Sequence, residues 1–178
     1  MRVPVRTGDL MNAFDTIRQF SKMLANLDQW LGKAETFAKA KSFDANVFVD
    51  MRLAPDQYAF VKQVQAACDS AKFSAAYLSG KPAPSHPDTE RTFEELHARI
   101  GTCRAYLETF QASDFAGFEE RQVSPPWLGG KWLRGDHYVM QVAIPNFFFH
   151  LTTAYAILRH NGVDVGKFDY IGAIPIQG

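Results

Sequence analysis

The feature that most constrains this chain is Tyr138–Leu158, a run of twenty-one residues without Asp, Glu, Lys or Arg. Its length is close to that of a helix that spans a bilayer. It nevertheless contains polar side chains such as Gln141, Asn146 and His150, and the chain has no second segment like it. We therefore interpret it as a helix of a soluble bundle, whose apolar surface should be covered by a central position, by a dimer interface or by both.

The composition excludes several kinds of partner. The 178 residues carry 19 basic and 19 acidic side chains, so the chain lacks the positive excess that nucleic acid or an anionic membrane surface requires. The length is that of one domain, and we expect a single domain over residues 1–178. Cys68 and Cys103 lie within predicted helices, and the start of the sequence shows no signal-peptide pattern. These features predict reduced thiols and a cytoplasmic location.

Four segments repeat apolar residues at intervals of three and four, which indicates amphipathic helices. The predicted helices cover about residues 10–41, 55–80, 93–110 and 136–160. Thr92 and Glu95 form a capping box before the third helix. Pro55 is expected at the start of the second helix and Gly80 at its end, while Asp136 is expected to cap the fourth.

The connections between these helices are also informative. Residues 81–88 contain three prolines and are predicted to form a loop. Residues 118–123 and 131–134 flank the turn-rich stretch Ser124–Gly130, which predicts a short hairpin or excursion loop. The architecture that fits these elements is an all-α four-helix bundle with this hairpin or excursion between helices 3 and 4.

The fourth predicted helix carries the best candidate for a site. Asn146 and His150 lie four residues apart, so they share one face of the helix and are separated by one turn. Pro145 should bend the helix just before them, because it has no N–H to donate to the preceding turn. A bend beside inward polar residues indicates a cavity, and Trp127 and Trp132 in the excursion are candidates for a lid.

Several stretches of this sequence are characteristic of a known family. They are Arg52–Asp56, Gln63–Lys72, Thr92–Leu96, Pro145–His150, Thr153–Gly162 and Gly166–Asp169. On these stretches the chain resembles the DinB/YfiT-like superfamily, and more closely the branch known as domain of unknown function DUF1993, over nearly its whole length. The resemblance implies a DinB-like four-helix bundle that is commonly dimeric.

The resemblance also implies where a site should lie. Better-known members of the superfamily hold a divalent metal with three histidines, one from helix 2 and two from helix 4. The corresponding positions here are Gln65, Asn146 and His150, so one imidazole remains. Neutral amides are poor ligands for a transition metal. Asp69 lies one turn after Gln65 and is a candidate carboxylate ligand beside His150.

Three functions are compatible with these residues. In the first, Gln65, Asp69, Asn146 and His150 bind a small molecule in a bundle pocket whose metal site is degenerate, without a cofactor. In the second, the chain is a metal-dependent enzyme of the thiol transferase or hydrolase type, with His150 and Asp69 as ligands to zinc or nickel. In the third, it is a structural or interaction protein, and the buried histidine only fixes helix register. The three consecutive phenylalanines at 147–149 point in different directions on a helix and favour a homodimer.

Overall fold

The computed structural model describes residues 12–177, which are predominantly helical. The helices are α1 (Ala13–Ala40), α2 (Phe60–Ser79), α3 (Phe93–Glu108), α4 (Gly135–Tyr138), α5 (Ile144–His160) and α6 (Lys167–Ile171). A π-helical turn, Val139–Ala143, joins α4 to α5 and makes one long helical segment of the three. The predicted all-α bundle is confirmed, with this segment as its fourth helix. Leu10, which opens the first predicted helix, lies outside the described residues.

Helix α1 begins at a side-chain cap and buries one apolar face. Oδ1 of Asn12 accepts a hydrogen bond from the backbone N–H of Asp15 at 2.8 Å, which satisfies one of the free donors of the first turn. Nε1 of Trp30 donates to the backbone carbonyl of Asp169 at 3.0 Å. Since Trp30 is fully buried, this bond fastens α6 to the middle of α1.

Helix α2 begins later than the sequence indicates. The predicted start at Pro55 is wrong, because the first helical residue is Phe60. Pro55 instead occupies a turn in which the N–H of Gln57 donates to the carbonyl of Ala54 at 3.0 Å, a position that also suits a proline. The predicted end is confirmed, since Gly80 caps the helix with a left-handed φ of 76°.

The most enclosed helix is α2, not the fourth helix of the bundle. Of the 20 residues of α2, 14 are buried, whereas α5 buries 6 of its 17. Helix α2 packs against α1, α3 and α5. Residues 12–177 therefore cover the apolar fourth helix only in part, and Met140 and Phe149 are 58% and 55% exposed.

Helix α3 forms as its capping signal predicts. Thr92 Oγ1 accepts from the N–H of Glu95, and the carboxylate of Glu95 accepts from the N–H of Thr92. The helix ends at Glu108, two residues before the predicted end. The adjacent 3₁₀ turn, Ala45–Asp50, contributes a further cap, because Oδ1 of Asn46 accepts from the N–H of Phe93 at 2.8 Å.

The excursion between α3 and α4 contains the short hairpin that the sequence predicts. Strand β1 (Gln122–Val123) pairs antiparallel with β2 (Leu133–Arg134). The predicted role of Asp136 as an N-cap is wrong, because the hairpin leads directly into α4 and Arg134 is the capping residue. The carboxylate of Asp136 accepts from Nη2 of Arg134 at 2.9 Å instead.

The fourth helix is distorted directly before Pro145, where a bend is expected. The N–H of Ile144 donates to the carbonyl of Val139, five residues back, which is the hydrogen bond of a π-helical turn. Pro145 has no N–H for the carbonyl of Gln141. The π turn therefore changes the phase of the helix just before Asn146.

The two cysteines are buried free thiols. The thiol of Cys103 donates to the backbone carbonyl of Cys68 at 3.2 Å, which links α3 to α2. A hydrogen bond with Cys103 and burial raise the pKa of Cys68 well above its usual value. Within residues 12–177, we find no helix whose length and apolar character would let it cross a membrane.

Candidate functional site

The four side chains singled out from the sequence, Gln65, Asp69, Asn146 and His150, line one cavity of about 720 Å³. Helix α2 provides one wall, while the π turn and α5 provide another. The volume is within the range of small-molecule sites, roughly 300–1,000 Å³. The structure therefore places the predicted residues together, and each of them contacts a partner that the sequence did not indicate.

His150 is oriented by a chain of two hydrogen bonds that connects it through Gln63 to Tyr58, a residue just before α2. Nε2 of Gln63 donates to the backbone carbonyl of Tyr58 at 3.1 Å, which turns Oε1 of the same amide toward Nδ1 of His150 at 2.8 Å. Because an amide oxygen only accepts, Nδ1 carries the proton and Nε2 keeps a lone pair. Burial lowers the pKa of His150, so the neutral ring predominates at neutral pH. Gln63 is fully buried and was missed, because only the register of α2 against α5 shows which glutamine faces the histidine.

Asn146 forms a second polar link between α5 and α2. Its Nδ2 lies 3.1 Å from Oγ of Ser70, which is a buried residue of α2. Along α2, Ser70 follows Gln63 by two turns, whereas along α5 the partner of Ser70, Asn146, precedes His150 by one turn. The order of the two links is therefore reversed between the helices, which shows that α2 and α5 are antiparallel. The two links fix the register of α5 along the wall of the cavity.

Gln65 has an acceptor atom that lacks a donor. The side chain is 1% exposed, and its Nε2 donates to Oε2 of Glu90 at 2.7 Å. A carboxylate accepts hydrogen bonds, so this contact fixes which end of the amide carries the NH₂ group. Oε1 of Gln65 is buried and receives no hydrogen bond from the described residues. Such an acceptor is costly unless a water or a ligand supplies a donor.

Asp69 contacts two buried cations. Its Oδ1 lies 2.6 Å from Nη2 of Arg99 and 2.7 Å from Nζ of Lys72. The side chains of Arg99 and Lys72 are each 2% exposed. A carboxylate is the counter-ion that such buried cations require. Asp69 is therefore a structural residue of this charge cluster as well as a lining residue of the cavity.

Arg99 also holds the loop that follows α2. Its Nη1 lies 2.9 Å from Oδ1 of Asp88 and 3.2 Å from Oε1 of Glu90. The Asp88 contact has the distance of an ion pair without hydrogen-bond geometry. Burial lowers the pKa of Arg99, but Asp69 and the other neighbouring groups outweigh it, and the net direction is upward. Arg99 was missed, although its position three residues after the buried Leu96 signals an arginine on an inward face.

His86 is part of the same loop and lies beside these cations. Its Nδ1 is 3.3 Å from Nζ of Lys72. Since an ammonium only donates, Nδ1 accepts and the neutral ring is favoured. Burial, and then the charges of Arg99 and Lys72, lower the pKa of His86. The loop is thus connected to α2 through a histidine that is uncharged at neutral pH.

Aromatic side chains form much of the remaining wall. They are Tyr58, Phe73, Tyr77, Trp127 and Tyr138. The ring of Tyr58 is nearly parallel to that of His150, with centroids 6.4 Å apart. Burial raises the pKa of Tyr138 to about 12, so its hydroxyl is protonated at neutral pH. Of the two tryptophans considered as a lid, Trp127 lines the cavity and Trp132 does not.

The donors around the cavity do not fit a divalent metal ion. Within residues 12–177, no group of three or more His, Cys, Asp or Glu side chains is arranged to hold one. Oδ1 of Asp69 is in contact with the cations Arg99 and Lys72. That oxygen already accepts from two donors, which leaves Asp69 only Oδ2 to offer to a metal. His150 and Asp69 also lack the third strong donor that a zinc or nickel site requires.

Comparisons with known proteins agree with this architecture. A solved structure described as a DinB family member protein from Shewanella denitrificans is 49% identical to this chain. The similarity covers 91% of this chain and 92% of that chain, with a TM-score of 0.88. No curated protein matches the sequence. The model of the family described as domain of unknown function (DUF1993) matches residues 14–171. With a match over most of its length, this chain belongs to the DUF1993 family and has the DinB-like helical fold.

Proposed function

We propose that this chain binds a small organic molecule in the cavity between α2 and α5, without a metal ion. The observation that carries the proposal is the fixed orientation of His150, whose Nδ1 is committed to the buried amide of Gln63. Its Nε2 keeps a lone pair and receives no hydrogen bond from the described residues. A preoriented acceptor in a cavity with aromatic walls is typical of small-molecule sites. In this proposal Gln65, Asp69, Asn146 and His150 are the ligand-binding residues.

The same hydrogen bond joins α2 to α5, so a test must separate binding from stability. We propose a fragment screen by ligand-observed NMR on the full chain, followed by His150→Ala and His97→Ala variants. His97 is the matched control, because its Nδ1 pairs with Oδ1 of Asp28 at 2.6 Å and it does not line the cavity. Each variant is first checked for a native fold by its circular dichroism and thermal transition.

The proposal predicts fragments that bind wild type and His97→Ala but lose binding to His150→Ala. Fragments that bind all three proteins equally would contradict it, as would a screen that yields none. If His150→Ala lowers the thermal midpoint and leaves fragment binding intact, the residue has only the structural role of fixing helix register.

We further propose that the protein is a homodimer and that α5 and the π turn contribute to its interface. The exposed Met140 and Phe149 support this proposal, because apolar groups on an incompletely covered helix favour association. Light scattering should give twice the chain mass of 20.0 kDa, and Phe149→Glu should give the monomer mass. The control is Phe168→Glu on α6, where the wild-type side chain is 86% exposed. A monomer at all concentrations would refute the proposal.

We also propose that the protein is located in the cytoplasm and that the chain forms one domain. Two buried free cysteines support a cytoplasmic location, where thiols remain reduced. One core to which α1, α2, α3 and α5 all contribute supports a single domain over residues 1–178. A single cooperative transition in urea, seen alike by fluorescence and circular dichroism, is the expected result.

A further inference from the structure

We infer that the ligand of this cavity is an organic cation, a primary ammonium group on an aromatic or apolar body. The inference rests on the proposed function, because it names the chemical class of the molecule that the same site binds. Three independent features of the wall support it: an unpartnered buried acceptor, an excess of carboxylate charge and a series of aromatic faces.

The first feature is Oε1 of Gln65. The amide orientation is fixed by the 2.7 Å hydrogen bond from Nε2 to Glu90, so the oxygen cannot be exchanged for the NH₂ group without placing an acceptor against a carboxylate. The oxygen is buried in a side chain that is 99% covered and lines the cavity, and no described residue donates to it. Only a donor satisfies this atom, and an ammonium group has three.

The second feature is the cluster of charged side chains around Asp69, at the edge of the cavity. Two buried cations, Lys72 and Arg99, are in contact with three carboxylates, those of Asp69, Asp88 and Glu90. One negative charge therefore remains without a buried counter-ion. Oδ2 of Asp69 makes no hydrogen bond or ion pair with the described residues. The side chain is 28% exposed and lines the cavity, so this oxygen is available to a ligand. A ligand cation would supply the missing charge.

One cation that lines the cavity, Lys62, would repel a cationic ligand, but its exposure to solvent weakens this repulsion. Nζ of Lys62 lies 3.7 Å from Oδ2 of Asp88, and the side chain is 48% exposed. An exposed pair at this distance contributes little free energy. His86 adds no positive charge at neutral pH, because burial and the adjacent cations favour its uncharged form. The side chains that line the cavity itself therefore carry one net negative charge, because Asp69 and Asp88 are negative and Lys62 is positive.

The third feature is the aromatic wall. The faces of Tyr, Phe and Trp rings attract cations through their quadrupoles. Nζ of Lys72 already lies 4.3 Å from the ring centroid of Phe73, so one face of this ring is in contact with a cation. Trp127 is 64% exposed and also lines the cavity. These rings suit both the charged head group and an apolar body.

The inference is tested with three probes that share an indole ring and differ in the head group. They are tryptamine, which is cationic at neutral pH; tryptophol, which is neutral; and indole-3-propanoate, which is anionic. Isothermal titration calorimetry on the full chain should show tryptamine binding about tenfold or more tightly than either of the others. Tryptamine affinity should fall about tenfold in Asp69→Asn and stay unchanged in Asp164→Asn, a fully exposed carboxylate outside the cavity.

A second variant keeps the test decisive if Asp69→Asn fails to fold. Lys62→Gln removes an exposed charge at the cavity and should strengthen tryptamine binding by about twofold to threefold, with the opposite effect on the anion. Equal or tighter binding of tryptophol or indole-3-propanoate overturns the cation inference and leaves the small-molecule proposal standing. Failure of all three probes also overturns the cation inference, while the small-molecule proposal is then decided by the fragment screen with His150→Ala.

Discussion

Oε1 of Gln63 lies 2.8 Å from Nδ1 of His150, and Nε2 of the same amide donates to the carbonyl of Tyr58. Replacing Gln63 with Glu places a carboxylate at the position that faces the Nδ1–H group. We predict that Gln63→Glu raises the pKa of His150, because an adjacent negative charge stabilises the imidazolium form. The measurement is an NMR titration of the His150 ring, in which wild type should show a pKa below the usual 6.5.

His86 provides the internal control for this titration. It lies in a different environment, beside Lys72, and its own lowered pKa should not change in Gln63→Glu. Nitrogen shifts should also show the neutral ring of His150 protonated at Nδ1 in wild type. A neutral ring protonated at Nε2 would show that the amide of Gln63 does not set the tautomer.

Arg99 is the residue on which the charge cluster depends most strongly. In Arg99→Leu, the carboxylates of Asp69, Asp88 and Glu90 lose their shared buried cation. We predict a loss of about 3–5 kcal/mol in the free energy of unfolding, measured by urea denaturation. Arg159→Leu is the control, because its pair with Asp164 is exposed and 3.5 Å long, and it should change stability by less than about 0.5 kcal/mol. Similar losses in the two variants would show that the cluster stabilises no more than a surface pair.

Local signals in the sequence predict most of the helical framework, because they depend on neighbouring residues. The capping box of Thr92 and Glu95 and the left-handed cap at Gly80 are both present. The signals at Pro55 and Asp136 gave wrong helix starts. A proline also suits a turn, and Asp136 lies inside the first turn of α4, where its carboxylate accepts from Arg134 and from the N–H of His137. Such choices depend on competing partners and not on the residue type.

The site is less predictable, because its contacts join distant segments. The four-residue spacing identified Asn146 and His150, but Gln63 faces His150 only through the register of α2 against α5. Arg99 approaches Asp69 from α3, which no spacing within α2 reveals. Sequence position therefore places residues in the cavity, whereas their partners follow from how the helices pack.

The pH dependence of stability should reflect His86. Burial, then Arg99 and Lys72, lower its pKa in the folded state. As the pH falls below 6.5, the unfolded chain gains a proton that the folded chain does not. Stability is therefore present above that value and is lost progressively toward the lowered folded pKa. Asp69 and Glu90 oppose the shift, but the net direction is downward.

We predict that a change from about pH 7 to about pH 5.5 lowers the urea midpoint of wild type. The same change should lower the midpoint of His86→Gln by less. The amide keeps an acceptor for Lys72 but cannot take up a proton. His150, whose pKa is also lowered by burial, contributes to the remaining fall. An equal fall in wild type and His86→Gln would exclude His86 as a source of the pH dependence.

Gly135 connects the hairpin to α4 at a point where a side chain has no room. A Cβ atom at this position would overlap the backbone carbonyl oxygen of Phe118, which cannot move as a flexible side chain can. We predict that Gly135→Ala destabilises the chain by at least about 1–3 kcal/mol, because the excursion must shift away from α4. Gly101→Ala is the matched control. Apart from the backbone of α3 itself, nothing lies near the added Cβ, so the change should stabilise the chain by about 0.5–1 kcal/mol.

Because Tyr138 and Trp127 line the cavity from this side, Gly135→Ala should also weaken the binding of any fragment found in the screen, whereas Gly101→Ala should not. Loss of stability without loss of binding would show that the excursion does not shape the site.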